Sequence, residues 1–259
     1  MTSTTSTIAL KEDADQFQHA EFKTLYRIAG IGALLALTAN VFDLFLGFGN
    51  TQIVIYGSGS ALDWFTMFRQ NWFKGLYTLG IFNIVYQCCL IPVCLGLLAV
   101  HRLKYPVVSV LAAMMFFVGM AVYVSNNAAI PMMVLSGKHA AATTDAQRAI
   151  IVAAGEAILA AGEDFTPGSF VGLILGGLAM LGMSFVILRG DVFSKTTGWT
   201  GIVGFSFLSI FIVWATFIPV MYNVAYFVFG TIGGMLALAW FTLVGSQFLG
   251  LARKGRSPE

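Results

Sequence analysis

Residues 168–188, GSFVGLILGGLAMLGMSFVIL, contain no charged side chain and no proline. A helix needs about 20 predominantly apolar residues to cross the hydrocarbon core of a bilayer, so this segment is long enough to span it. Its apolar residues do not alternate with polar ones, as they would in a strand of a transmembrane barrel. The segment therefore predicts a membrane-spanning α-helix.

Five further apolar runs of similar or greater length lie on either side of this segment. The six predicted spans cover residues 26–48, 75–100, 106–136, 168–188, 199–219 and 222–251. The third and sixth runs exceed the minimum length, so we expect those helices to tilt or to protrude. The composition agrees, because 58% of the residues are hydrophobic and only 10% are charged, against about 25% charged in a soluble domain. We therefore predict an all-α integral membrane protein with a six-transmembrane-helix bundle.

The distribution of basic residues predicts the orientation, since Lys and Arg concentrate on the cytoplasmic side of membrane proteins. Ten of the 14 basic residues fall in the terminal segments and two short turns of one side: Lys11, Lys23, Arg27, Arg102, Lys104, Arg189, Lys195, Arg253, Lys254 and Arg256. The opposite side holds Arg69, Lys74, Lys138 and Arg148. We therefore predict a cytoplasmic tail at 1–25, a transmembrane domain at 26–251 with external segments 49–74 and 137–167, and a cytoplasmic tail at 252–259. The polar N-terminal segment lacks the apolar stretch of a signal peptide, so the first span is expected to act as the insertion signal.

Both external segments contain a predicted interfacial or amphipathic helix. In the first, Ser60 is placed to cap a helix whose first turn holds Asp63. Its aromatic residues predict an anchor at the lipid headgroups or, alternatively, a lid over a binding site; they are Trp64, Phe65, Phe68, Trp72 and Phe73. In the second, Thr144 and Gln147 have capping-box spacing, and Ile150 begins the apolar face of a helix over 144–162.

Glycines recur at intervals of four in two spans, a spacing that lets another helix backbone come close. They are Gly168, Gly172 and Gly176 in the fourth span, and Gly230 and Gly234 in the sixth. We predict internal helix packing at these positions, with a dimer interface as the alternative.

Polar side chains inside a bilayer are costly, so they are the first candidates for a binding site. Asp43 is the only carboxylate well inside a predicted span. The candidate binding residues are Asp43, Asn40, Asn83, Gln87, Asn126, Asn127, Tyr222 and Asn223. At about 1.5 Å rise per residue, these groups fall at a similar depth near the external side. They predict either one outward-facing polar cavity or separate interhelical hydrogen bonds that fix the packing.

Several kinds of chemistry lack their sequence signals. The three histidines lie outside the spans or at their ends, no Glu-x-x-His or His-Glu-x-x-His spacing occurs, and no span contains a lysine. We therefore predict no metal, haem or retinal-type cofactor and no catalytic residue. The net charge of +2 without a basic block also argues against nucleic acid as a partner.

Short motifs in residues 125–201, about a third of the chain, resemble those of an uncharacterised prokaryotic integral-membrane family known as domain of unknown function 4386. The motifs are SNNAA at 125–129, AAATT at 140–144 with Gln147 and Arg148, AAGEA at 153–157, Leu188 and Arg189 through Val192 and Phe193, and TGWTGI at 197–202. This resemblance implies a multi-pass protein of the prokaryotic inner membrane without an assigned activity, and it implies no catalytic residue.

These observations leave three functional hypotheses. The favoured one is a non-enzymatic membrane protein that binds or transports a small molecule. The second is a structural, sensor or accessory subunit, a homo-oligomer or a partner of another membrane protein, with membrane lipid as the surroundings in either case. The third is an intramembrane enzyme, in which Asp43 would act as the acid–base group.

Overall fold

The computed structural model describes residues 2–48, 59–218 and 222–254, and every regular element in these ranges is helical. The helices are α1 Thr2–Phe48, α2 Ala61–Gln70, α3 Trp72–Thr78, α4 Ile81–His101, α5 Pro106–Asn126, α6 Ala129–Ala141, α7 Asp145–Gly162, α8 Pro167–Arg189, α9 Lys195–Phe217, α10 Tyr222–Ala225 and α11 Thr231–Lys254, with a π-helical turn at Tyr226–Gly230. Six helical stretches are long and apolar enough to cross a membrane. The predicted all-α, six-span fold is confirmed. Residues 49–58 of the first external segment and 255–259 of the second tail lie outside the described residues.

The six long helices form a ring in the order α1, α4, α5, α8, α9, α11 and back to α1, so each helix packs on two neighbours. Helices α5 and α8 each begin with a proline, whose missing amide removes no helical hydrogen bond at that position. One hydrophobic core fills the centre of the ring, and it includes Met183, Phe205 and Phe241. The turns between α4 and α5 and between α8 and α9 close the ring at the end that we call the turn end.

Four shorter helices, α2, α3, α6 and α7, pack together at the other end of the ring, and we call them the cap. The cap has its own hydrophobic core, in which Trp64, Phe65 and Phe68 are each at most 5% exposed. The prediction that these three rings anchor the protein at lipid headgroups is therefore wrong, because the cap encloses them. Only Trp72 and Phe73 of the predicted anchor remain exposed, at 61% and 45%.

The third predicted span is two helices rather than one long, tilted helix. Helix α5 ends at Asn126, and Asn127 adopts an extended conformation before α6 begins. The Asn127 side chain accepts a hydrogen bond from the amide of Ala129 at 3.0 Å, which stabilises the start of α6 in place of a continued α5. The second half of the run therefore joins the cap. Helix α1 begins at Thr2, so the backbone of the predicted tail is helical and continuous with the first span.

Side-chain caps define the cap helices as the sequence predicts. Ser60 and Asp63 form a capping box at the start of α2, and the Thr144 hydroxyl accepts from the amide of Gln147 at the start of α7. The Glu156 carboxylate of α7 accepts from the amide of Ala61 at 2.7 Å, so α7 also caps α2. Ile150, predicted on the apolar face of α7, is 70% exposed, because α7 packs through its glycines and Leu159 instead.

Candidate functional site

A polar cluster lies where the cap meets the ring, around Asp164 in the turn between α7 and α8. One carboxylate oxygen of Asp164 accepts a hydrogen bond from Nδ2 of Asn83 at 3.0 Å, and the other accepts from the Tyr123 hydroxyl at 2.7 Å. Asn83 belongs to α4 and Tyr123 to α5, so Asp164 joins two spans to the cap. Tyr123 is 3% exposed, whereas Asp164 is only partly buried. Asp164 therefore has a fixed orientation and is not completely enclosed.

The backbone beside Asp164 is adapted to this cluster. Gly80, which precedes α4, has a φ of +78°, a conformation that side-chain-bearing residues rarely adopt. A Cβ at Gly80 would lie 3.1 Å from Nδ2 of Asn83 and 3.6 Å from both the Asp164 carboxylate and the Tyr123 hydroxyl. Glycine at this position therefore leaves room for the three polar side chains to meet. Phe165, directly after Asp164, also has a positive φ of 62°.

A second carboxylate lies within electrostatic reach of the first. Asp43 of α1 is partly buried and near enough to Asp164 for the two charges to interact, and Tyr222 of α10 lies within the electrostatic reach of Asp164 as well. Within the described ranges, the ion pairs are Lys104 with Asp191 at the turn end and Arg148 with Asp145 in the cap. Neither pair includes Asp43 or Asp164, so among the described residues no basic side chain forms an ion pair with these two carboxylates.

The side-chain amides of the predicted site make hydrogen bonds in different parts of the fold. Asn40 donates to the carbonyl of Ala36, one turn earlier on its own helix, at 3.3 Å. Asn126 donates to the carbonyl of Gly168 at 3.4 Å, and Asn127 donates to the carbonyls of Leu79 and Gly80, both at 3.4 Å. Thus Asn83 lies in the polar cluster, whereas Asn126 and Asn127 hold the junctions between the cap and the ring.

The remaining predicted binding residues differ in exposure. Gln87, one turn after Asn83 on α4, is partly buried, and Tyr222 is partly buried beside Phe165, with ring centroids 6.3 Å apart. Asn223 is exposed. Its neighbour Tyr222, and not Asn223, therefore borders the cluster.

Open space lies between this cluster and the hydrophobic core. Gly176 of α8 is on the same helix face as Met180 and Met183, which are buried in the core, yet a Cβ at Gly176 would meet no atom within 4 Å. Gly234 of α11 is on the same face as the buried Phe241, and a Cβ there would also meet no atom. Both glycines lie on the cap side of the core. We call the space beside them the hollow.

The polar cluster lies on the cap side of Tyr86. The Tyr86 ring contacts the buried Phe241 edge-on with centroids 5.6 Å apart. Asn83 is three residues earlier on the same face of α4, about one turn closer to the cap. Because Asn83 donates to Asp164, the carboxylate lies about one helical turn closer to the cap than Tyr86 does.

A buried hydroxyl without a partner faces the same interior. Thr216 is four residues after Ile212 and eleven after Phe205, so all three lie on the inward face of α9. Thr216 is 9% exposed, and its hydroxyl has no hydrogen-bond partner in the described part of the chain. A buried hydroxyl normally has a partner, so Thr216 contributes a free polar group to the cap side of the interior.

The predicted packing glycines divide into two groups. A Cβ at Gly172 would lie 2.8 Å from that of Tyr123, so Gly172 lets α8 approach α5, and a Cβ at Gly168 would lie 2.5 Å from backbone atoms of Ala161 in α7. Gly230 makes only ordinary contact, because its Cβ would lie 3.5 Å from the Phe211 ring. Gly176 and Gly234 face the hollow instead. The regular spacing could not show this division, since only the neighbouring helices decide which glycine is in contact.

Asp164 and Tyr123 were missed by the sequence analysis, which placed Asp164 in an external segment. A signal was present, because Asp164 comes just before Thr166 and Pro167, a typical start of a helix. A carboxylate at that position lies at the depth where the fourth span begins.

The fold and the cluster together define an all-α, multi-pass membrane bundle with a capped polar site. No group of three or more His, Cys, Asp or Glu side chains that could hold a metal ion occurs among the described residues. Comparisons with protein-family models, with curated proteins and with solved structures find no match.

Proposed function

We propose that this protein is a non-enzymatic, multi-pass protein of the prokaryotic cell membrane that binds or transports a small solute through an outward-facing site. The observation that carries this proposal is the hollow beside the inward-facing Gly176 and Gly234, which lies on the cap side of the core, as the Asp164 cluster does. Packing alone would fill such a space, because protein interiors are close-packed and tolerate few voids. The membership of the family with domain of unknown function 4386 is a further part of this proposal.

The outward direction is supported by charge. The turn end carries Lys104, Arg189 and Lys195, and short basic turns of this kind face the cytoplasm. The cap and the polar cluster then face the outside, and both termini lie in the cytoplasm. The alternative of a purely structural subunit explains the close contact at Gly172 but not the open space at Gly176.

Cysteine labelling tests the proposal. In a background with Cys88, Cys89 and Cys94 replaced by alanine, Gly176→Cys should react with a membrane-impermeant thiol reagent added outside intact cells. Met183→Cys is the matched control, because Met183 is fully buried two turns along the same helix face and should stay unlabelled.

The labelling experiment tests both whether the hollow is accessible to the reagent and from which side of the membrane the reagent reaches it. Labelling of Gly176→Cys only from the cytoplasmic side would contradict the outward direction. Absence of labelling from either side, with the protein folded, would contradict a solvent-filled hollow and favour a structural subunit.

A further inference from the structure

The two carboxylates at the site carry a charge that the described residues leave unbalanced. Asn83 and Tyr123 orient Asp164 through neutral donors, which strengthen its acceptor role but supply no positive charge. Asp43 adds a second carboxylate within electrostatic reach. Partly buried carboxylates are costly without a counter-charge, and a cation bound nearby would favour their charged form.

The free hydroxyl of Thr216 is a second, independent indication of a ligand. It is more than nine-tenths buried and unpartnered, and it lies on the inward face of α9 near the cap end. This observation is independent of the carboxylates, because Thr216 belongs to a different helix and its hydroxyl makes no hydrogen bond in the described part of the chain. A ligand in the hollow could supply the missing partner.

The available ligands favour an organic cation over a bare metal ion. Calcium and magnesium require about six or more oxygen ligands, whereas no group of three or more His, Cys, Asp or Glu side chains that could hold a metal ion occurs among the described residues. Near Asp164, the ring of Phe165 packs edge-on against Phe211 with centroids 4.9 Å apart. Aromatic faces also attract organic cations.

We infer that the hollow binds a small organic ammonium compound. Its ammonium group lies beside Asp164 and Asp43, and its carbon skeleton lies between Gly176 and Gly234, within reach of the Thr216 hydroxyl. This inference rests on the proposed function, since it names the class of solute for the same site.

The probes are methylammonium, ethanolamine and choline, with 3,3-dimethylbutanol as the neutral counterpart of choline and with sodium and potassium chloride as inorganic cations. The protein, in lipid nanodiscs at constant ionic strength, is heated while its tryptophan fluorescence is recorded. At least one ammonium probe should raise Tm in a saturable way, because a ligand that binds only the folded state stabilises it. The neutral counterpart and the inorganic salts should not.

Two variants test separately the charge of Asp164 and the open space beside Gly176. Asp164→Asn keeps the shape but removes the charge, and it should weaken binding at least about tenfold, as expected for loss of a charged hydrogen bond. Asp191→Asn is the matched control, because Asp191 is exposed at the turn end and should leave binding unchanged. Gly176→Leu should fold, since its side chain enters open space, and should abolish binding by filling the hollow.

Each contrary result overturns the inference in a distinguishable way. Equal stabilisation by choline and 3,3-dimethylbutanol, retained in Asp164→Asn, would mean that the hollow binds a neutral solute, and the proposed function would stand. Equal stabilisation by sodium or potassium would mean an inorganic cation site. No Tm shift with any ammonium probe would reject the ligand class, while external labelling of Gly176→Cys would still support the proposed function.

Discussion

The contact between α5 and α8 gives a prediction whose size follows from the geometry. Gly172→Ala would place a Cβ 2.8 Å from Cβ of Tyr123 and 3.0 Å from its Cα and N. Carbon atoms pack best at about 3.5–4.0 Å, so α5 and α8 would have to separate by roughly 0.7 Å (3.5 minus 2.8). The Tyr123 hydroxyl, which holds Asp164, would move with α5.

Such overpacking destabilises proteins by about 1–3 kcal/mol. Alanine also gains up to about 1 kcal/mol over glycine in a helix, which would mask part of this effect. Gly176→Ala is the matched control, since it has the same propensity gain one turn away but adds its methyl to open space. The propensity term cancels in the comparison, so Gly172→Ala should be less stable than Gly176→Ala by about 1–3 kcal/mol.

Unfolding of both variants in mixed micelles by increasing SDS, followed by tryptophan fluorescence, gives the two free energies of unfolding. Equal midpoints for the two variants would refute the close contact at Gly172. A larger loss in Gly176→Ala than in Gly172→Ala would in addition contradict the open space beside Gly176.

The remaining predictions concern orientation and pH. Single cysteines at Thr143 and Ser257, in the cysteine-free background, should be labelled only from outside and only from the cytoplasm, respectively; cytoplasmic labelling of Thr143→Cys would reverse the topology. Hydrogen bonds from the Ser60 hydroxyl and amide hold the pKa of Asp63 below its usual range. This capping box therefore stabilises α2 above the unfolded-state pKa of about 3.9 and is lost as the pH falls through the lower folded-state pKa. Ser60→Ala should raise the pKa of Asp63 in an NMR titration, and an unchanged pKa would contradict the capping box.

Much of the architecture follows from local sequence patterns. The length of each apolar run fixed the number of spans, because the bilayer thickness sets a minimum helix length whatever the neighbouring helices are. The caps at Ser60 and Thr144 were predictable for a similar reason, since a cap joins a side chain to an amide three residues later. The sequence analysis missed the end of α5 because both Asn126 and Asn127 are compatible with a helix. The hydrogen bonds that Asn127 donates to Leu79 and Gly80 at this bend involve residues that are distant in sequence.

The candidate site was only partly predictable. Asp43 and Asn83 were recognised as polar residues at a similar depth, but the partner of Asn83 is Asp164, 81 positions away in a turn that hydropathy assigns to the outside. Tyr123 resembled an ordinary aromatic residue of a span until its hydroxyl met the same carboxylate.

The sequence by itself determined that this chain forms six apolar helices and where most of them begin and end, because apolar length and helix capping act within one segment. Only the tertiary structure decided that α6 joins the cap, that Gly172 is in contact while Gly176 faces a hollow, and that Asp164 meets Asn83 and Tyr123. These features depend on which helices become neighbours and on how closely their backbones approach. The packing of the whole ring sets both quantities, so no single segment contains them.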